Sequence, residues 1–379
     1  MAEETTFYSK LQACEGLDLR DNRGKHHKLC YTLTSFVVSL LRGRDGILSS
    51  IHRSMQNIHT QLCETLNIEI EQVVSRSHLP ILLQGVAVEI FDDLLFEHFN
   101  FRLTDKEKSW FSADGKTLKG SIPKGSKQGL NIVQIVEQDS LRIVNQSSYA
   151  GDKESEITCV RSLLSDSGMD SEKVTLDALH LCPKTTSQIA QSGGKYLIGL
   201  KNNQPILLGQ MILHSELEPS LHTVVTEDKG HGRIEHRTYC SYDLTDVSDK
   251  IDIAERWEDS NFSTLIRVKR AVVDIKTKNQ YEEVSFYLSN EVTDNATQCY
   301  KAIRKHWGVE VCNHIRDVTL KEDKLRTKVN KVSRVIASLR TLVINLLIKE
   351  RPKNLVAQIE LFQDDFMALV GFLRRVRFL

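Results

Sequence analysis

The chain has no run of 18 apolar residues, about the length a membrane-crossing helix needs. Its first ten residues, MAEETTFYSK, carry no apolar stretch of the kind found in a secretory signal. A soluble, cytoplasmic protein without a membrane partner is therefore expected. No CxxC pair occurs among its eight cysteines, at 14, 30, 63, 159, 182, 240, 299 and 312. That speaks against a zinc ribbon or a disulfide framework, and the thiols read as reduced. The chain also has no net charge, 50 Lys and Arg facing 50 Asp and Glu. Such a balance excludes a protein that is basic over its whole surface, so any contact with nucleic acid has to be confined to patches.

What is there is 379 residues with 40% hydrophobic content, enough for a large core and two or three domains. Three carboxylates stand in informative settings. Asp114 in FSADGKTL follows Trp110, Phe111 and Ala113, and Asp177 in VTLDALH follows Val174 and Leu176. Both runs read as buried strands, each acid near its strand's carboxyl end. Glu310 lies in IRKHWGVEVCNH, where Ile303, Trp307 and Val311 recur at helical spacing. A helix is predicted from about 295 to 318, capped by Asp294 or Asn295, with Glu310 facing inward and Trp307 read as core packing ahead of a base-stacking platform.

Between these acids, 131–138 and 141–149 read as strands in hairpin distance, 155–164 as a helix, 185–194 as a second helix ended by glycines, and 195–201 as an apolar strand. The order βββαβαβ predicts an α/β fold of ribonuclease H-like plan: a mixed sheet, helices on both faces, and ligands at strand carboxyl ends. From 202 to 294 the chain is longer than one connection needs, and its β-branched and aromatic runs predict a β insertion. The expected division is a helical N-terminal domain (1–105), the first part of the catalytic core (106–218), the insertion (219–291), the remaining core with the Glu310 helix and a basic segment (292–350), and a C-terminal helix (351–379). The helices expected in the first domain cover 33–43, 49–66 and 80–99.

Six ordered motifs carry a family resemblance: RGKHHKL (23–29), ADGKTLKGS (113–121), TLDALH (175–180), YLIGLKNNQ (196–204), HGRIEHR (231–237), and IRKHWGVE (303–310) followed by KEDKLRTK (321–328). Together they resemble the H-repeat-associated insertion-sequence transposases of the ISAs type, within the DDE transposases. The resemblance implies metal-dependent DNA transposition, with Asp114, Asp177 and Glu310 at the three acidic positions, and a β insertion before the last acid. It also matches the leading segment to a region for end recognition or dimer contact. The chain departs from the family after Glu310, where Val311 replaces an Asn and Asp317 lies seven rather than eight positions past the Glu.

Three carboxylates suit in-line phosphodiester chemistry at two Mg²⁺ ions, for which Mn²⁺ can substitute, because hard divalent ions take oxygen ligands. The expected partners are double-stranded DNA, both element ends and target, and a second copy of the chain, with no nucleotide cofactor. Candidate DNA contacts are Lys116, Lys119, Lys201, Asn203, Gln204, Arg233, His306, His314, Lys324, Arg326 and Lys328. Lys124 and Lys127 add to the basic stretch after Asp114, and 301–350 holds twelve Lys or Arg against five Asp or Glu. A zinc site built on His306, Glu310 and His314 lacks the HExxH spacing and a completing Cys. Two other functions fit the same residues: an inactive or domesticated relative that binds DNA, and a ribonuclease H-like nuclease without strand transfer.

Overall fold

The structure is a computed structural model, and it describes residues 5–44, 46–99, 109–126, 128–230, 232–245, 255–350 and 352–379. Its chain opens with six helices: α1 (Phe7–Ala13), α2 (Leu29–Leu41), α3 (Leu48–Asn57), α4 (His59–Leu66), α5 (Leu79–Gln84) and α6 (Val88–Phe99). There follow β1 (Trp110–Thr117), β2 (Leu130–Glu137), β3 (Ile143–Ala150), α7 (Lys153–Asp166), β4 (Lys173–Leu176), α8 (Pro183–Gln191) and β5 (Lys195–Leu200). After α9 (Pro205–Leu217) come β6 (His222–Gly230), β7 (Arg233–Asp243), β8 (Thr264–Asp274) and β9 (Gln280–Ser289). The chain ends with α10 (Ala296–Lys305), α11 (Gly308–His314), α12 (Asn330–Lys349), α13 (Leu355–Asp364) and α14 (Phe366–Arg375). This is a mixed α/β fold, its nine strands in the order β3-β2-β1-β4-β5-β9-β8-β7-β6. Among the described residues no helix is long and apolar enough to cross a membrane.

The chain divides into two compact units. One comprises Met1–Leu103, Gly115–Ser155 and Val309–Leu379. Its centre is α2 and α12, which are buried on nearly all sides: α2 at twelve of its thirteen residues and α12 from Val332 to Ile348 except Arg334. A helix of that kind requires neighbours all round, and the other helices supply them in a single cluster that includes Phe7, Phe36, Phe91, Phe362 and Phe372. The chain ends meet here, the amides of Phe7 and Tyr8 in the first turn of α1 donating to the carbonyls of Arg377 and Phe378, both at 2.9 Å. Those donors have no partner within their own helix.

Three predicted helices are each interrupted. The 49–66 helix turns at Ile58 between α3 and α4. The 80–99 helix opens between α5 and α6, where Gly85 and Ala87 exchange backbone hydrogen bonds with Leu19 and Leu17. Any side chain at Gly85 would strike the Arg20 side chain, its Cβ lying 2.3 Å from Cγ. The C-terminal helix is two helices, because Asp365 adopts an extended backbone and caps the amide of Ala368. Apolar spacing carries across each break because both halves face the same core.

The other unit comprises Thr104–Asp114 and Glu156–Gly308. In it β1, β4 and β5 run parallel, β9 adds to β5 antiparallel, and β8, β7 and β6 continue antiparallel. A core of Trp110, Leu197, Tyr239, Ile266 and Tyr300 packs on this sheet, with the rings of Tyr239 and Tyr300 stacked at 5.0 Å.

A polar network crosses the helical unit. Gln146 on β3 donates to Asp92 of α6 at 2.9 Å and to Ser338 of α12 at 2.8 Å. Burial pushes the Asp92 carboxyl up to about 7 by disfavouring its anion. The folded chain thus retains a proton that the unfolded chain releases near pH 4, and stability falls as pH rises from there through about 7. Asp92→Asn is expected to flatten this dependence, raising the melting temperature relative to wild type at pH 8 more than at pH 5. Parallel shifts at both pH values in thermal unfolding would show that Asp92 does not titrate in this way.

Candidate active site

The site is built first on the β1–β4 ladder. Trp110 pairs with Lys173, Phe111 with Val174 and Ser112 with Thr175, a constant offset of 63. The Ser112 and Thr175 hydroxyls meet at 3.0 Å, so these two positions share a face. Side chains alternate along strands with a period of two. The printed pairs end there, and Asp114 and Asp177 each follow two residues later in the chain. Asp177 leaves β4 with an extended backbone, and its Oδ1 accepts the Leu179 amide at 2.8 Å, capping the short turn Ala178–His180. Asp114 does not close its strand as expected, since β1 runs on to Thr117.

Two histidines surround Asp177. His306 Nδ1 lies 2.8 Å from Thr175 Oγ1, which donates to the Phe111 carbonyl at 3.1 Å. Burial lowers the His306 ring to about 4 against the opposing pull of Asp177, which leaves it neutral near pH 7. His306 was expected at a DNA phosphate, and it is tied to β4 instead. His180 was not singled out from the sequence, although it stands in the TLDALH motif three residues past Asp177. It is 1% exposed, and its Nε2 lies 3.8 Å from both Asp177 Oδ1 and Glu156 Oε1. Burial lowers its proton affinity as well.

The KNNQ motif closes over the same turn. Asn203 donates to the Ala178 carbonyl at 2.7 Å and Gln204 to the Leu181 carbonyl at 2.9 Å. Both were expected to contact DNA, and in the structure they hold the loop that follows Asp177. Lys201 is exposed.

In the insertion, Glu235 of the HGRIEHR motif is 4% exposed and clasped by arginines. Arg233 Nε reaches it at 2.6 Å and Arg270 at 2.8 Å, and Arg237 pairs with it as well as with Asp228 at 2.6 Å. The Arg270 hydrogen bond leads in holding its carboxyl below the usual range. Arg233, expected on DNA, is half-exposed with its charge partly answered by Glu235. His231 and Lys127 lie outside the described residues.

Glu310 sits in the first turn of α11, which is separated from α10 by a break at His306 and Trp307. The continuous helix predicted over 295–318 is thus α10, α11 and a π-helical turn, Ile315–Thr319. Glu310 is exposed rather than inward-facing, though partial burial raises its carboxyl. His314, at the end of α11, is exposed.

Lys116 and Lys119, expected at phosphates, both meet acids of the KEDKLRTK motif and its approach. Lys116 is 9% exposed and lies 2.6 Å from Asp317, 3.7 Å from Glu322 and 3.9 Å from Asp323. Lys119 is exposed and lies 2.6 Å from Asp323. Gly120 makes this fit possible, because a Cβ there would lie 1.4 Å from the Leu325 carbonyl oxygen. Lys324, Arg326 and Lys328 point to solvent.

Glu322 is buried between Arg316 at 3.1 Å and Arg340 at 3.5 Å. Burial raises its carboxyl, but Arg316, Arg340 and Lys116 outweigh that and hold it below the usual range. Removing one charge from such a group leaves the others uncompensated. Glu322→Gln is expected to cost about 3–5 kcal/mol in denaturant unfolding, and a loss below about 1 kcal/mol, the level of an exposed pair, would show that solvent already screens the cluster.

Among the described residues no three His, Cys, Asp or Glu side chains are grouped so as to hold a metal ion. Asp114 and Asp177, each two residues past the last β1–β4 pair, carry oxygens of the donor type a hard divalent cation prefers.

No family model matches the chain. Among curated proteins, the "H repeat-associated putative transposase YhhI" of Escherichia coli K12 is 26% identical over 252 residues, 65% of each chain. The "Putative protein YbfL" of the same strain is 26% identical over 255 residues, 65% of this chain and 66% of that one. The chain thus spans just under two thirds of the length of these two. The "Putative transposase YncI" of Escherichia coli O157:H7 is 26% identical over 354 residues, 87% of this chain and 84% of its own. Among solved structures, a piggyBac transposase synaptic complex with hairpin DNA aligns with a TM-score of 0.47 and 11% identity, over 92% of this chain and 72% of that one. The chain is thus similar to proteins named as transposases, an H repeat-associated one among them.

Proposed function

We propose that this chain is a DDE transposase that cuts DNA at insertion-sequence ends and joins the freed ends to a target. The observation that carries this is the β1–β4 register, beyond whose last pair Asp114 and Asp177 each follow by two residues, in a chain whose relatives bear transposase names. The order βββαβαβ and the strand order β3-β2-β1-β4-β5 support a ribonuclease H-like core, with β6 to β9 as the insertion before the last acid.

Asp114, Asp177 and Glu310 are proposed as the carboxylates that hold two divalent ions, Mg²⁺ or Mn²⁺. Bound there, the ions would activate a water or 3′-hydroxyl and stabilise the leaving oxygen of an in-line displacement. The chain's own groups set the stage for that chemistry. Asn203 and Gln204 hold the turn behind Asp177, and the hydroxyl chain from His306 through Thr175 ties it to β4. His306, lowered by burial, stays neutral beside the acids. The leading helical unit is proposed to recognise element ends or a second copy of the chain, and two joined ends call for a homodimer at least. Exposed Lys201, His314, Lys324, Arg326 and Lys328 are proposed phosphate contacts.

Asp114→Asn is expected to abolish Mg²⁺- or Mn²⁺-dependent nicking of an element-end duplex while DNA binding is retained or slightly tightened, because the amide removes repulsion of phosphate. Gel shift and nicking assays run side by side decide this, and equal loss of both would mean a damaged fold. Nicking without joining to a target duplex would identify a nuclease instead, and binding without any cleavage an inactive relative.

Charge reversal of Lys324, Arg326 and Lys328 together is expected to weaken DNA binding and to flatten its salt dependence by about 0.9 slope units per lost phosphate contact. An unchanged slope would show these side chains to be solvated surface.

A further inference from the structure

The sheet ends at β6, which among the described residues pairs with β7 alone. Its nine pairs, from His222 with Ser241 to Gly230 with Arg233, keep one register without a bulge, and no proline interrupts the strand. Every residue of β6 is exposed except the half-buried Val224. An edge of this length leaves a row of backbone amides and carbonyls with no strand to meet, and proteins ordinarily blunt such edges with prolines, bulges or charges.

The charges of β6 are confined to its far half, at Glu227, Asp228 and Lys229, while the sequence LHTVVT over 221–226 holds no Lys, Arg, Asp or Glu. Leu221 already lies along β7, its amide donating to the Ser241 carbonyl at 2.9 Å. One face of this half is fixed to the unit: Val224 packs against the core that contains Tyr239 and Ile266, and the His222 carbonyl accepts from the Tyr300 hydroxyl at 3.3 Å. Strand alternation sets Leu221, Thr223 and Val225 on the opposite face, where Leu221 is 55% and Val225 64% exposed. An uncharged, unpaired edge and two bare apolar side chains thus coincide over five residues.

We infer that this edge docks a second copy of the chain, the two β6 strands pairing antiparallel about a twofold axis at Thr223. The pattern is self-complementary about that axis. On the outer face Leu221 of one copy meets Val225 of the other, Thr223 meets Thr223, and Val225 meets Leu221, while His222 meets Val224 on the inner face; apolar and Thr–Thr pairs of this kind stabilise neighbouring strands. Glu227, Asp228 and Lys229 lie beyond the overlap of 221–225, so no like charges are opposed within it, whereas an axis at Glu227 would set that acid against its own copy. The contact is isologous and closes at two copies, without extending into a filament. DNA is a poor occupant, because 221–226 offers no Lys or Arg to a phosphate. The inference names the surface for the second copy that the transposase reading calls for, and rests on that reading only in expecting a second copy.

The test is sedimentation of the full chain without DNA. Wild type is expected to be dimeric at micromolar concentration, and Val225→Lys, which alters an exposed side chain and brings two ammonium groups into the pairing, to dimerise about 10-fold more weakly or worse with an unchanged circular dichroism spectrum. The double variant Leu221→Cys with Val225→Cys is expected to form disulfides between copies under mild oxidation that leaves wild type uncross-linked, since directly opposed side chains stand at about 4.5–5.5 Å. Within one copy the two positions are four residues apart along a strand, too far to bridge. A monomeric wild type, or a dimer that Val225→Lys does not weaken and the double variant does not cross-link, would overturn the docking edge. Nicking of an element-end duplex, assayed in parallel, keeps the two readings apart: a monomer that nicks overturns the edge alone, and a cross-linked dimer that never nicks supports the edge and overturns the enzymatic reading.

Discussion

The parallel ladder between β1 and β4 is the constraint on which the functional part of this molecule depends. Three backbone pairs with one offset determine which side chains are neighbours along the ladder, because a slip of one residue would turn a strand's side chains to the opposite face. The ladder is held by more than its amides. The Ser112 and Thr175 hydroxyls link the strands, and Thr175 also engages the Phe111 carbonyl and His306. A polar chain in so buried a place has to be fully partnered to be tolerated. Its completeness fixes both the register and the start of the break that carries Trp307.

The second feature is how the chain treats its charges. Overall neutrality does not mean that charges are spread thinly. Acids and bases are gathered into clusters in which one sign is buried among several of the other. Glu322 lies among Arg316, Arg340 and Lys116, and Glu235 among Arg233, Arg237 and Arg270. Such groups specify geometry more than they add stability, since desolvation offsets most of the attraction. They also remove basic side chains from the supply available to a polyanion. Lys116 is the clearest case: two residues beyond Asp114 on the same strand, it is consumed by acids of the KEDKLRTK segment and its approach.

Motifs that look alike in a sequence therefore divide into two kinds. KNNQ and the first half of KEDKLRTK are framework, holding the turn behind Asp177 and the residue pair beyond Asp114. The basic side chains at 324, 326 and 328, and the indole at 307, are exposed.

The sequence by itself determined the elements. Alternation of apolar residues gave the strands at 110–113 and 174–176, and turn chemistry gave the hairpin of β2 and β3 and the glycine-ended α8. These are local properties, set by side chains within a few positions of one another. It also singled out Asp114 and Asp177. What the tertiary structure alone decided is long-range. That Ser112 stands opposite Thr175 depends on a register between strands 63 residues apart, and that Lys116 is paired depends on Asp317, 201 positions away. Likewise, periodicity continued through the breaks at Ile58, Gly85, Asp365 and His306, because both sides of each bend remain apolar toward a core. At His306 that continuity misplaced Trp307, whose exposure is set by a hydrogen bond from its neighbour to a strand 131 residues earlier.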